Sequence, residues 1–143
     1  RGYPDMTVEA QDKLVHRLVD KIKMGAARMQ HWEESGLEDA EVVVVSYGIT
    51  SRVARAAIQR ARNEGRKIGE LRLITVWPLC EEKIRSLAGR VKGFVVPEIN
   101  LGQVALEIER CAAGKAVTIH VPHAGGGVHD PDDIHRAIEE VYA

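Results

Sequence analysis

An α/β fold, with helices covering both faces of a mainly parallel sheet of four or five strands, is the class this sequence predicts, and three observations predict it. Val42 to Val45 are four consecutive valines with no polar face, which suits a strand covered on both sides. An apolar run, a polar turn and a segment with helical spacing then recur along the chain, so that β-α units follow one another in series. The 143 residues, 45% hydrophobic and 29% charged, are enough for one core and ordinary for a globular chain. Right-handed crossovers between such units build a three-layer α/β/α sandwich, and the expected strand order is 2-1-3-4, counted along the chain.

The elements are read in order. Residues 1–6, with Gly2 and Pro4, look like a linker or the stub of a preceding segment, and a start at Arg1-Gly2-Tyr3 without an initiator Met suggests a chain cut from something longer. Thr7 is placed to cap a long helix from Val8 to Glu34 whose apolar stripe is Leu14, Val15, Leu18, Val19, Ile22 and Met29. Such a stripe is expected to be buried against the core; the other reading makes the helix an arm that contacts another subunit. Ser35-Gly36 closes the helix, with Gly36 suited to a left-handed conformation. On this division residues 1–40 are an N-terminal linker and helix, and residues 41–143 are the α/β domain.

The first strand, Val42–Val45, ends at Ser46-Tyr47-Gly48, and a helix follows with Ile49, Val53, Ala54, Ala57, Ile58 and Ala61 on one face. Asn63-Glu64-Gly65 stops it, and the second strand is read over Leu71–Val76 before Trp77-Pro78 breaks it. Glu81–Ala88 is a short helix with two acids in its first turn, where they complement the helix dipole. The third strand, Gly93–Val96, runs into Pro97-Glu98-Ile99-Asn100, and a helix over Leu101–Ala113 follows with Val104, Leu106 and Ile108 as its apolar positions. The fourth strand is Val117–Val121, and Asp130-Pro131-Asp132-Asp133 starts a last helix that reaches Tyr142, with Asp130 as its cap.

The formal net charge of -1 gives no general attraction to nucleic acid or to an anionic membrane, and no apolar run is long enough to cross a bilayer. Cys80 and Cys111 lie far apart, without the spacing of a zinc or iron–sulfur site, and fit a reduced, cytoplasmic setting. The winding of the sheet reverses between the first and third strands, so a crevice is expected outside Ser46-Tyr47-Gly48 and Glu98-Ile99-Asn100. Tyr47, Gly48, Glu98, Asn100, Gln103 and His123 are the candidates to line it, or to make an interface there. Buried without partners, an acid, two amides and a phenol would be costly, so they are expected to be solvated in this chain and to face another domain or subunit when it assembles. A lone carboxylate has no partner for acid–base work, so no catalytic residue is assigned. Thr50 or Ser51 is expected to cap the helix after Gly48 rather than to hold an anion. The loop matches neither a dinucleotide fingerprint nor a P-loop. His120, His123 and His129 match no common zinc spacing, so no metal ligand is assigned either, and Gly125-Gly126-Gly127 is a flexible turn before it is an anion cradle.

At VVVVSYGITSRVARAAIQRAR, at LRLITVWPLCEEKIRSLAGRVKGFVVPEINLGQVALEIER and at VPHAGGGVHDPDDI the sequence closely resembles the α subunit of the 2-oxoacid:ferredoxin oxidoreductases. It looks most like their 2-oxoglutarate (2-ketoglutarate synthase) branch. The resemblance covers residues 41–138 and rests on Ser46-Tyr47-Gly48, Thr75-Val76-Trp77-Pro78, Pro97 through Gln103, and His123-Ala124-Gly125-Gly126. It corresponds to the C-terminal domain of that subunit, which is similar to the C-terminal domain of transketolases. The resemblance implies oxidative decarboxylation of a 2-oxoacid with thiamine diphosphate and magnesium, electron transfer through iron–sulfur clusters to ferredoxin, and formation of an acyl-coenzyme A. It implies that other domains and subunits of the enzyme are this domain's partners. The chain has no Gly-Asp-Gly cofactor motif and no cysteine cluster, so no cofactor is expected in this domain, whose role is then assembly rather than chemistry. The transketolase type also has an antiparallel edge strand, where this sequence reads as helix. An alternative of another class is a free-standing module that binds coenzyme A or phosphate in the Tyr47 and Glu98 crevice.

Overall fold

The computed structural model describes residues 2–143; Arg1, the first residue of the expected linker, lies outside them. Five strands form one sheet in the order β1-β3-β2-β4-β5, with β2 (Val42–Tyr47), β3 (Ile68–Leu73), β4 (Gly93–Glu98) and β5 (Val117–Pro122) mutually parallel and β1 (Trp32–Ser35) antiparallel at one edge. The parallel strands keep the order 2-1-3-4. Val42 and Val44 face one way, against Ala54, Ala57, Ile58 and Ala61 of α2 (Thr50–Asn63) and Ile134 and Ile138 of α5 (Pro131–Tyr142). Val43 and Val45 face the other way, with Phe94 and Val96, against Ile84 and Leu87 of α3 (Glu81–Ala88) and Ile108 of α4 (Gln103–Ala112). The four valines are therefore buried on both faces, which is why the run carries no polar residue.

The N-terminal part departs from the sequence reading. The helix α1 spans Val8–Met29, not Val8–Glu34, and Trp32–Ser35 pairs with β3 from Trp32↔Leu73 to Ser35↔Glu70. Two adjacent glutamates favour a helix locally, but four residues exposed on both faces give no alternation to read, and backbone pairing with β3 decides the outcome. Glu33 pairs with Arg72 at 2.8 Å and Glu34 with Lys83 at 2.5 Å, which fixes both acids. The sheet thus begins at Trp32, ahead of Glu41, and it has the antiparallel edge strand that the transketolase type carries. Gly36 is left-handed as expected, at φ 58, but it turns the chain after β1 rather than ending a helix. The stripe of α1 is not core: Leu14, Val15, Leu18 and Val19 are each between 43% and 49% exposed, and Gly25 is the helix's one buried residue.

The strand β3 lies three residues earlier than expected, because its register with β2 starts at Val42↔Ile68 and ends at Tyr47↔Leu73. Gly69 fits where a Cβ would meet Leu37 Cδ2 at 2.4 Å, and Glu70 is tolerated because Arg55 Nε donates to its carboxylate at 2.9 Å. Ile74 and Thr75 leave the parallel ladder and both donate to His31 O at 3.0 Å. In α4 the buried positions are Val104, Ala105, Ile108, Cys111 and Ala112, whereas Leu106 is 65% exposed. The start of α5 is as read: Asp130 is the N-cap and accepts from Asp132 N at 2.9 Å, with Pro131 following.

Candidate functional site

The strands β2 and β4 are adjacent, and the winding reverses between them, so the last residues of each, Tyr47 and Glu98, open onto the same point beyond the sheet. Tyr47 Oη donates to Glu98 Oε1 at 2.8 Å, and Asn100 Nδ2 donates to both, at 3.0 and 3.1 Å. The first turn of α4 completes the group: Val104 N donates to Glu98 Oε1 at 2.9 Å and Ala105 N to Oε2 at 2.8 Å. Asn100 Oδ1 accepts from Gly102 N at 2.8 Å and from Gln103 N at 3.1 Å.

Glu98 is 0% exposed, so the expectation that it is solvated is corrected. The physical reason is the N-cap of α4, Gly102 at φ 109, which has no side chain to satisfy the helix's first N–H groups. Glu98 and Asn100 supply the acceptors instead, and a negative charge at a helix N-terminus is electrostatically favoured. Burial, and after it the neighbouring carboxylate, push the Tyr47 phenol up to about 12. Tyr47 is therefore neutral, a donor, at any ordinary pH.

The side chains of the remaining expected members sit around this network without joining it, Gln103 entering it only through its backbone N–H. Gly48 makes the turn at φ 57 and is exposed, and Gln103 is exposed on α4. His123 is half-buried; its N–H donates to Glu98 O at 2.9 Å and its ring lies 5.3 Å from that of His129. His129 Nε2 is 2.8 Å from Val121 O, which makes that nitrogen the protonated donor. His120 Nε2 is 3.7 Å from Glu98 Oε2. Neither Thr50 nor Ser51 caps α2, a second correction: Thr50 Oγ1 donates back to Tyr47 O at 2.6 Å and Ser51 Oγ accepts from Ser46 Oγ at 3.0 Å, leaving Ile49 at the cap position.

What the sequence reading did not assign is the apolar wall beside this network. Tyr47, Val76, Trp77, Leu79, Gln103, Val104 and Glu107 line an open concavity of about 350 Å³. Trp77 is 64% exposed there, and the signal that marks it in the sequence is a large aromatic in a Trp-Pro pair just past a strand. Among the described residues one His and acidic group converges elsewhere, Glu64, His135 and Glu139. Arg60 pairs with Glu64 at 3.1 Å and Arg66 with Glu139 at 2.5 Å, so it is an ion-pair cluster.

Comparison with known proteins gives this geometry a family. Residues 40–134 match the family model described as pyruvate:ferredoxin oxidoreductase core domain II. The chain is 41% identical over 138 residues to the 2-oxoglutarate synthase subunit KorA of Methanocaldococcus jannaschii, covering 96% of this chain and 37% of that protein. It thus spans about a third of the length of the curated relatives it matches. Among solved structures it is similar to the 2-oxoglutarate:ferredoxin oxidoreductase from Magnetococcus marinus with 2-oxoglutarate, coenzyme A and succinyl-CoA bound, with a TM-score of 0.77 and 26% identity over 99% of this chain and 25% of that one. It also shares its fold with a split gene transketolase, an inactive beta4 tetramer, with a TM-score of 0.62 and 16% identity over 76% of this chain and 41% of that one. The chain belongs to the pyruvate:ferredoxin oxidoreductase core domain II family and is related in sequence to KorA.

Proposed function

We propose that this domain serves assembly in an enzyme that converts 2-oxoglutarate and coenzyme A to succinyl-coenzyme A and carbon dioxide, passing the electrons released to ferredoxin. The observation that carries the assembly role is the closure of the Glu98 network. Both carboxylate oxygens, the Tyr47 hydroxyl and both ends of the Asn100 amide are already hydrogen-bonded within the chain, so no group there is free to move a proton for a substrate. The surface left for use is the rim: Gly48, Gln103, His123 and the concavity beside Trp77, which would face another domain or subunit. Thiamine diphosphate, magnesium and iron–sulfur clusters would be held in other parts of the complete enzyme, working in the cytoplasm. The choice of 2-oxoglutarate is supported by KorA and by the Magnetococcus marinus enzyme.

The test is to produce the whole subunit that contains this chain together with its partner subunit, and to assay viologen reduction with coenzyme A and a panel of 2-oxoacids. Turnover with 2-oxoglutarate well above pyruvate and 2-oxoisovalerate is expected. A preference for either of the others would overturn the substrate assignment, and turnover by the 143-residue chain alone would overturn the assembly role.

A further inference from the structure

The chain treats the two edges of its sheet differently. At one edge β1 is four residues long and carries Glu33 and Glu34, charges of the kind that keep further strands from adding. At the other, β5 is six residues of Val-Thr-Ile-His-Val-Pro, and no Asp, Glu, Lys or Arg occurs from Ala116 to His129. Among the described residues no strand lies beyond it.

The bonds to β4 fix which backbone groups of β5 look outward. Val117 N donates to Lys92 O at 3.1 Å and His123 N to Glu98 O at 2.9 Å, so the odd-numbered N–H groups face β4. The N–H groups of Thr118 and His120 face away from the sheet, as do the carbonyls of Thr118, His120 and Pro122.

We propose that this edge pairs antiparallel with the same edge of a second copy of the chain, joining two sheets across a two-fold axis at Ile119. The outward groups are symmetric about that residue. In this register Thr118 stands opposite His120 of the second copy, each such pair exchanges two N–H···O bonds, and the two-fold axis makes two such pairs. Pro122, which has no N–H, falls opposite Ala116 of the second copy and need only accept. The occupant is a second copy because the strand's chemistry complements itself: it is β-branched at Val117, Thr118, Ile119 and Val121, and it has no charge to repel its like or to recruit a charged partner.

The test is residue-resolved hydrogen exchange on the 143-residue chain across a dilution series, with the mass followed by sedimentation equilibrium. A dimer is expected in which the Thr118 and His120 amides are protected and lose that protection on dilution. Thr118→Pro removes an N–H that the fold does not use, at an edge where proline is tolerated, and is expected to give a folded monomer. Val117→Lys, at a position 54% exposed, does the same by placing like charges along the edge. Three results would each overturn the proposal. They are a monomer with both amides fast at every concentration, a monomer with both amides protected, and a dimer that survives both substitutions.

Discussion

Replacing Glu98 by alanine would leave four donors without their acceptor: Tyr47 Oη, Asn100 Nδ2, Val104 N and Ala105 N. Leaving buried donors unsatisfied is the expensive way to lose a hydrogen bond, so Glu98→Ala is expected to cost about 3 kcal/mol in urea unfolding. An unchanged midpoint would show that water reaches these groups and that the network is not sealed. The sequence places Tyr47, Glu98 and Asn100 at one point, because strand ends at a reversal of winding must meet. It does not show on its face that the point is closed. The clue is a local one: a helix whose cap position is Gly102 needs an acceptor from elsewhere, and Glu98 stands only a few residues before it. Read as a cap rather than as a site, the acid would have been expected inside.

At the level of elements, those that carry their own boundary chemistry are the ones legible in the sequence. Asp130 and Pro131 start α5 where their side chains predict, and Asp130→Ala should lower stability by about 1 kcal/mol through loss of the bond to Asp132 N. Thermal unfolding checks this, and no change in melting temperature would mean that the helix start is held by packing alone. The strands β1 and β3 depart from the sequence expectation because their limits are set by neighbours. The register against β2 decides where β3 begins, and β1 exists only because β3 offers it an edge. No residue pattern inside Trp32–Ser35 encodes that pairing.

Across the whole molecule, α1 and the sheet are energetically separate. A stripe with helical spacing was expected to be core, but spacing reports only that one face is apolar, not which chain covers it. With Gly25 its one buried residue, α1 contributes little to the core, and deleting residues 2–29 should change the unfolding free energy of the remainder by no more than about 0.5 kcal/mol. A larger loss in denaturant titration would show that the helix returns to pack on the domain. The order of the parallel strands was legible because uninterrupted valine runs and right-handed crossovers leave few arrangements to choose from.

The carboxylate of Glu98 sits where many doubly wound proteins receive an anion from solution, at the mouth of a helix beside the switch point. Here the chain brings its own. A tethered group competes at an effective concentration of at least about millimolar, before any gain from its fixed orientation. A free phosphate would have to displace it and strand its charge as well. An anion in solution is therefore expected to leave the helix mouth untouched, and the Glu98 carboxylate acts as a latch that holds its own strand to its own helix.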